Sequence, residues 1–181
     1  MVFILQGEDP TISERFSTSN LQMLDGGQWW RAFTAQFLHA DLGHLVSNIA
    51  SGTACAMLVC RSLGRLLGWA SIIAGGALGN LMTAGFYYPE PFDSLGASSA
   101  VFAALGVLTT YGFYLAFRAP NSTPWRSVIA PLGGGVTLLA WFGAGGDNVD
   151  VLGHIFGFLA GCLLGFVASW WRLRPHLGKA G

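Results

Sequence analysis

Charged residues along the chain fall at the edges of five long uncharged stretches, and this spacing is its dominant pattern. The stretches cover residues 42–60, 66–89, 94–117, 127–146 and 151–171, each 19 to 24 residues long. A helix rises about 1.5 Å per residue, so about 20 residues cross a ~30 Å hydrocarbon layer. The pattern predicts five transmembrane helices joined by short loops. A strand reading would need alternation of period two and a closed barrel, and no such alternation is visible.

Composition agrees. Of 181 residues, 52% are hydrophobic and only 10% charged, nine basic against nine acidic. A soluble domain of this size needs more charge to cover itself. The same balance excludes a basic surface for nucleic acid and a disordered acidic tail. Cys55, Cys60 and Cys162 all lie in apolar runs without a CxxC pair, which supports neither a disulfide framework nor a zinc ribbon.

Loop charges give the predicted stretches a direction, because cytoplasmic loops carry the excess Lys and Arg. Arg61 and Arg65 follow the first stretch, Arg118 and Arg126 the third, and Arg172, Arg174 and Lys179 the fifth. Glu90, Asp93, Asp147 and Asp150 lie at the opposite ends, with the acidic residues of the N-terminal segment. The expected division is an extracytoplasmic segment and membrane-interface loop at 1–41, a transmembrane domain at 42–172 and a cytoplasmic tail at 173–181. The opening run Met1–Leu5 is too short for a signal-peptide core. It reads as a frayed end or as the outer end of an earlier transmembrane helix.

With this orientation the first, third and fifth stretches all begin at the outer face, and the polar residues inside them gather there. His44 and Asn48 open the first, Ser98 and Ser99 the third, and His154 the fifth. A lone serine in a membrane helix usually bonds back to a carbonyl or packs as a small residue. A buried imidazole more often has a function. Together they offer a chemistry: a hydroxyl becomes a nucleophile when an imidazole takes its proton, and the resulting anion needs donors aimed at it. Ser98 can supply the oxygen and His154 the base. The Ser98 N–H at a helix start, with Asn48 and His44, can supply donors. No acidic residue lies within the spans to orient His154, which makes a dyad rather than a triad.

Gly153, Gly157, Gly161 and Gly165 recur every four residues and form a bare stripe that lets two helix backbones approach. The third stretch answers with Gly96, Ala97, Ser98, Ser99, Ala100, Ala103, Ala104 and Gly106. Phe102, one turn after Ser98, is placed to lie against the His154 ring, although core packing explains a phenylalanine there equally well.

These segments resemble the rhomboid intramembrane serine proteases. The block WWRAFTAQFLHADLGHLVSN is similar to that family's WR motif and HxxxxHxxxN segment, GASS to its GxSG motif, and GHIFGFLAG to its histidine-bearing last helix. The resemblance spans residues 30 to about 165. It implies a rhomboid-like all-α helical bundle with Ser98 as nucleophile and His154 as general base. It further implies an oxyanion site of His44, Asn48 and the Ser98 amide, and a half-sunken interface loop bearing Trp30 and Arg31. The activity implied is cleavage of single-span or polytopic transmembrane substrates near the outer surface of a bacterial plasma membrane, without metal, nucleotide or other cofactor. Four positions depart from the pattern. Ser99 replaces the usual glycine, Phe102 a common tyrosine, and Ala35 a histidine of some relatives. Five helices stand where the family has six, so that the first helix is missing or truncated at the Met1–Leu5 run.

Three other readings compete. His39, His44 and His154 set out three imidazoles for a metal, but no HExxH pair accompanies them. A channel needs polar groups along its whole depth, whereas here they gather at one end. A rhomboid-like protein that binds transmembrane helices without cutting them has no need of the Ser98 and His154 pair.

Overall fold

The structure, a computed structural model, describes residues 2–118, 125–143 and 150–174. Four short helices form the N-terminal segment: α1 (Val2–Glu8), α2 (Thr11–Phe16), α3 (Asn20–Leu24) and α4 (Arg31–Thr34), the last running into a 3-10 turn at Ala35–Phe37. Five longer helices follow: α5 (Leu42–Leu63), α6 (Arg65–Tyr87), α7 (Ser98–Arg118), α8 (Arg126–Gly143) and α9 (Val151–Leu173). The all-α membrane architecture expected from the charge pattern is present. Helices α5, α6, α7 and α9 are long and apolar enough to cross a bilayer. The fourth uncharged stretch holds α8, whose 18 described residues include Pro131 and which falls short of those four. Asp147 and Lys179 lie outside the described residues.

Local signals set several helix ends. Asp41 caps α5, its Oδ1 accepting the His44 N–H at 2.8 Å. Asp150 caps α9 in the same way, accepting the Gly153 N–H at 2.7 Å. Each cap contributes about 1 kcal/mol by satisfying an orphan donor. Between α5 and α6 the chain reverses at Gly64, whose φ of +88° closes the turn.

Helix α7 is apolar around its whole circumference and occupies the centre, with Val101, Phe102, Ala103, Ala104 and Val107 all buried. Its closest partner is α9, along the glycine stripe. A Cβ on Gly157 would strike the Ser99 carbonyl, one on Gly161 the Ala103 carbonyl, and one on Gly165 the Cα of Val107 at 2.7 Å. The stripe thus fits against every fourth residue of α7. Gly79 of α6 meets Gly157 from the other side, its Cβ position only 2.7 Å from the Gly157 Cα. With no hydrophobic drive between helices in lipid, such close approach supplies the packing energy.

The N-terminal segment lies across the ends of α6 and α7. A two-residue antiparallel bridge joins β1 (Thr18–Ser19) to β2 (Asp93–Ser94), the one strand pair among the described residues and an element the sequence pattern did not signal. Helix α1 is anchored rather than frayed: Gln6 Nε2 donates to the His39 carbonyl at 2.9 Å, and Gln6 Oε1 accepts the His39 N–H at 3.1 Å.

Candidate active site

Residues from α5, α7, α9 and the β2–α7 connection meet at one end of the bundle. Ser98 opens α7 and His154 lies one turn into α9, and His154 Nε2 is 2.9 Å from Ser98 Oγ. The glycine stripe explains why two helices can hold this distance: at Gly157 nothing but hydrogen separates the α9 backbone from that of Ser99. The Phe102 ring stacks on the His154 ring, with centroids 4.5 Å apart and planes 12° from parallel. That contact fixes the imidazole plane while its edge faces the hydroxyl. A serine oxygen within hydrogen-bond reach of an oriented imidazole is able to give up its proton on attack.

The space facing this pair is shaped by Gly96. Its φ is +131°, a region that side chains rarely enter. A Cβ there would lie 2.7 Å from His44 Cε1, 2.8 Å from His44 Nε2 and 3.8 Å from Asn48 Nδ2. His44 and Asn48 therefore converge on the backbone two residues before Ser98. Asn48 is buried, and neither its Nδ2 nor its Oδ1 has a hydrogen-bond partner. A buried amide without a partner is costly, and its N–H is free to donate to a group brought beside it. Ser99 is also buried, with its hydroxyl unpartnered. A cavity of about 10 Å³ adjoins Ser98, bounded by Asn80, Ser94, Gly96, Ser99 and Asp150, with room for about one water.

The surrounding polar residues brace this arrangement. The Gly96 N–H donates to the Ala35 carbonyl at 2.9 Å, tying the connection before Ser98 to the N-terminal segment. Asn80 of α6, buried, donates to the Ala32 carbonyl at 2.8 Å. Gln36, also buried, donates to Ala32 and Ile73 carbonyls, each at 3.3 Å. Arg31 lies in the N-terminal segment, on α4. It is buried, its Nε donating to Gln28 Oε1 at 2.7 Å and its Nη1 to the carbonyls of Glu14 at 2.8 Å and Ser17 at 3.0 Å. Five fixed donors suit a guanidinium to stapling such a loop. Its neighbour Trp30 is half exposed.

His39 packs edge-on against His44, ring centroids 5.3 Å apart. Burial, aided by the neighbouring His44, pulls the His39 pKa down to about 4, so the ring is neutral near pH 7. Among the described residues, no three His, Cys, Asp or Glu side chains are placed to hold a metal ion. Sequence reasoning overlooked Asp150, Asn80, Gln36 and Ser94. Of these only Asp150 left a signal, an Asp directly before an apolar run.

A family model for the Rhomboid domain matches residues 26–171. This chain belongs to the rhomboid family. Its relatives include "Putative rhomboid protease YdcA" of Bacillus subtilis, 33% identical over 150 residues, covering 78% of this chain and 68% of that protein. Rhomboid protease GluP of the same organism is 28% identical over 149 residues, 81% of this chain and 27% of the relative. Human "Inactive rhomboid protein 2" is 31% identical over 149 residues, 77% of this chain and 16% of the relative. The chain thus spans about two thirds of the first relative and a much smaller part of the other two. The family and the four long apolar helices make it an integral membrane protein that sits in a lipid bilayer.

Proposed function

We propose that this rhomboid is an intramembrane serine endopeptidase. Its substrates are single-span or polytopic transmembrane proteins, and cleavage takes place near the outer surface of a bacterial plasma membrane, with the C-terminus cytoplasmic. The 2.9 Å contact between Ser98 Oγ and His154 Nε2 carries the reading. Ser98 attacks the scissile carbonyl as His154 takes its proton. The oxyanion receives bonds from the Ser98 N–H, Asn48 and His44. His154 then protonates the leaving amine, and water hydrolyses the acyl-enzyme by the reverse use of the same pair. Gly96, Ser99 and Phe102 shape the pocket, and no cofactor is required. Relatives named as proteases support this reading.

A second reading, an inactive rhomboid that binds transmembrane helices without cutting them, draws support from the relative named inactive. One experiment separates the two. Purified protein in proteoliposomes is given a model single-span substrate, and product is measured for wild type, Ser98→Ala, His154→Ala and the double variant. Cleavage by wild type is expected, its loss in each variant, and no further loss in the double variant, because the two groups act as a unit. Undiminished cleavage by Ser98→Ala removes the protease reading. A wild type that crosslinks to the substrate helix without cutting it establishes the inactive form.

A further inference from the structure

We propose that Asp150 is a positioning residue for the Ser98 and His154 pair, pinning the first turn of α9 to the segment that delivers Ser98. The inference rests on the proteolytic reading above.

Asp150 holds α9 by two bonds. Its Oδ1 accepts the Gly153 N–H at 2.7 Å, and its backbone carbonyl accepts the His154 N–H at 3.1 Å. The backbone of the dyad histidine therefore hangs directly from Asp150. Ser94 stands beside the same residue across a sequence gap of more than fifty residues, and the two line one small cavity. Ser94 is itself fixed. Its N–H donates to Thr18 Oγ1 at 2.9 Å, and its carbonyl accepts the Thr18 hydroxyl at 2.8 Å. Only three residues separate Ser94 from Ser98, and the N–H of Gly96 between them is held by the Ala35 carbonyl. Ser94, Gly96, Ser98, Asp150 and Gly153 also line one small cavity, so the carboxylate and the nucleophile share one polar space.

A carboxylate suits this place. It accepts several bonds without needing to donate any, and its charge is favourable at a helix N-terminus. Burial pushes its pKa up, while the bond from Gly153 and the nearby Ser94 hydroxyl pull it back towards the charged form. The glycine stripe sets how near α9 comes to α7. A bare surface does less to set the height and rotation of α9's first turn, and that turn carries His154. Asp150 supplies the missing constraint at the end where the chemistry lies.

The test uses the full chain in proteoliposomes, measuring kcat and KM for a single-span substrate, labelling of Ser98 by a fluorophosphonate, and thermal unfolding. Asp150→Ala is expected to lower kcat and labelling about 10- to 100-fold, the cost of a small misplacement, with KM within about twofold. Asp150→Asn restores turnover to within about fivefold, because Asn caps a helix as well as Asp and can still accept from Gly153. Ser94→Ala lowers kcat in the same direction and adds nothing on top of Asp150→Ala, the signature of one shared interaction. Wild-type kcat in Asp150→Ala overturns the proposal, as does an Asn variant no better than Ala, or independent additive losses at Ser94. If Asp150→Ala shows no cooperative unfolding, the Asn variant and Ser94→Ala decide, the first by keeping turnover and the second by losing it. A wild type that neither cleaves nor takes label overturns the protease reading, and this one with it. Wild-type cleavage with an indifferent Asp150→Ala overturns this one alone.

Discussion

Gly157→Ala tests the link between helix packing and the dyad most directly. Gly157 lies three residues beyond His154, and an added Cβ would run into the Ser99 carbonyl oxygen and stand 3.1 Å from the Ser99 Cα and carbonyl carbon. Carbon atoms pack comfortably at about 3.5–4.0 Å, so α9 must withdraw from α7 by roughly half to one ångström at this level. His154 and Ser98 stand just above that level, and their contact of 2.9 Å has little slack. An added ~0.5–1 Å takes it out of hydrogen-bond range, and a misplacement of about 1 Å at a reacting pair costs about a hundredfold in rate. Overpacking also destabilises by about 1–3 kcal/mol. The expected result in proteoliposomes is a fall in kcat of about a hundredfold with substrate binding nearly intact, and a parallel loss of fluorophosphonate labelling at Ser98. Gly133→Ala on α8 is the control, since a Cβ there meets nothing within 4 Å. It replaces a poor helix former at no steric cost and should leave turnover unchanged. Wild-type kcat in Gly157→Ala would refute the claim that the stripe sets the dyad distance.

Two further predictions concern Asn48 and His39. Asn48→Ala should lower turnover about ten- to a thousandfold, the value of one oxyanion donor, without loss of thermal stability, because its buried amide has no partner to lose; a drop in melting temperature would make Asn48 structural instead. His39 has a folded pKa depressed from 6.5 to about 4. The folded state therefore resists its protonation, and the stability associated with the neutral ring is complete above pH 6.5 and lost as pH falls towards 4. That loss amounts to at most about 3.5 kcal/mol, at about 1.4 kcal/mol per pKa unit. Melting in detergent should move down across this window in wild type and much less in His39→Gln, and a flat wild-type profile would contradict the burial argument.

The sequence alone determined the spans, their polar ends and the helix–helix contact, because each is written in local periodicity. Uncharged stretches of bilayer length mark α5, α6, α7 and α9, and glycines every fourth residue mark the face of α9 that meets α7. Depth within those spans already put Ser98 and His154 at one level. Hydropathy was less decisive for the fourth stretch, where proline and three successive glycines dilute the apolar pattern. Only the tertiary structure decided what Arg31, Asn80, Ser94 and Asp150 do. Their partners lie on other elements, as far as 76 residues away for the Thr18 and Ser94 pair. A polar residue in a loop has the same appearance in sequence whether it faces water or closes a buried network. What separates the two is desolvation, and that arises when the N-terminal segment settles over the helix ends and removes water from those groups.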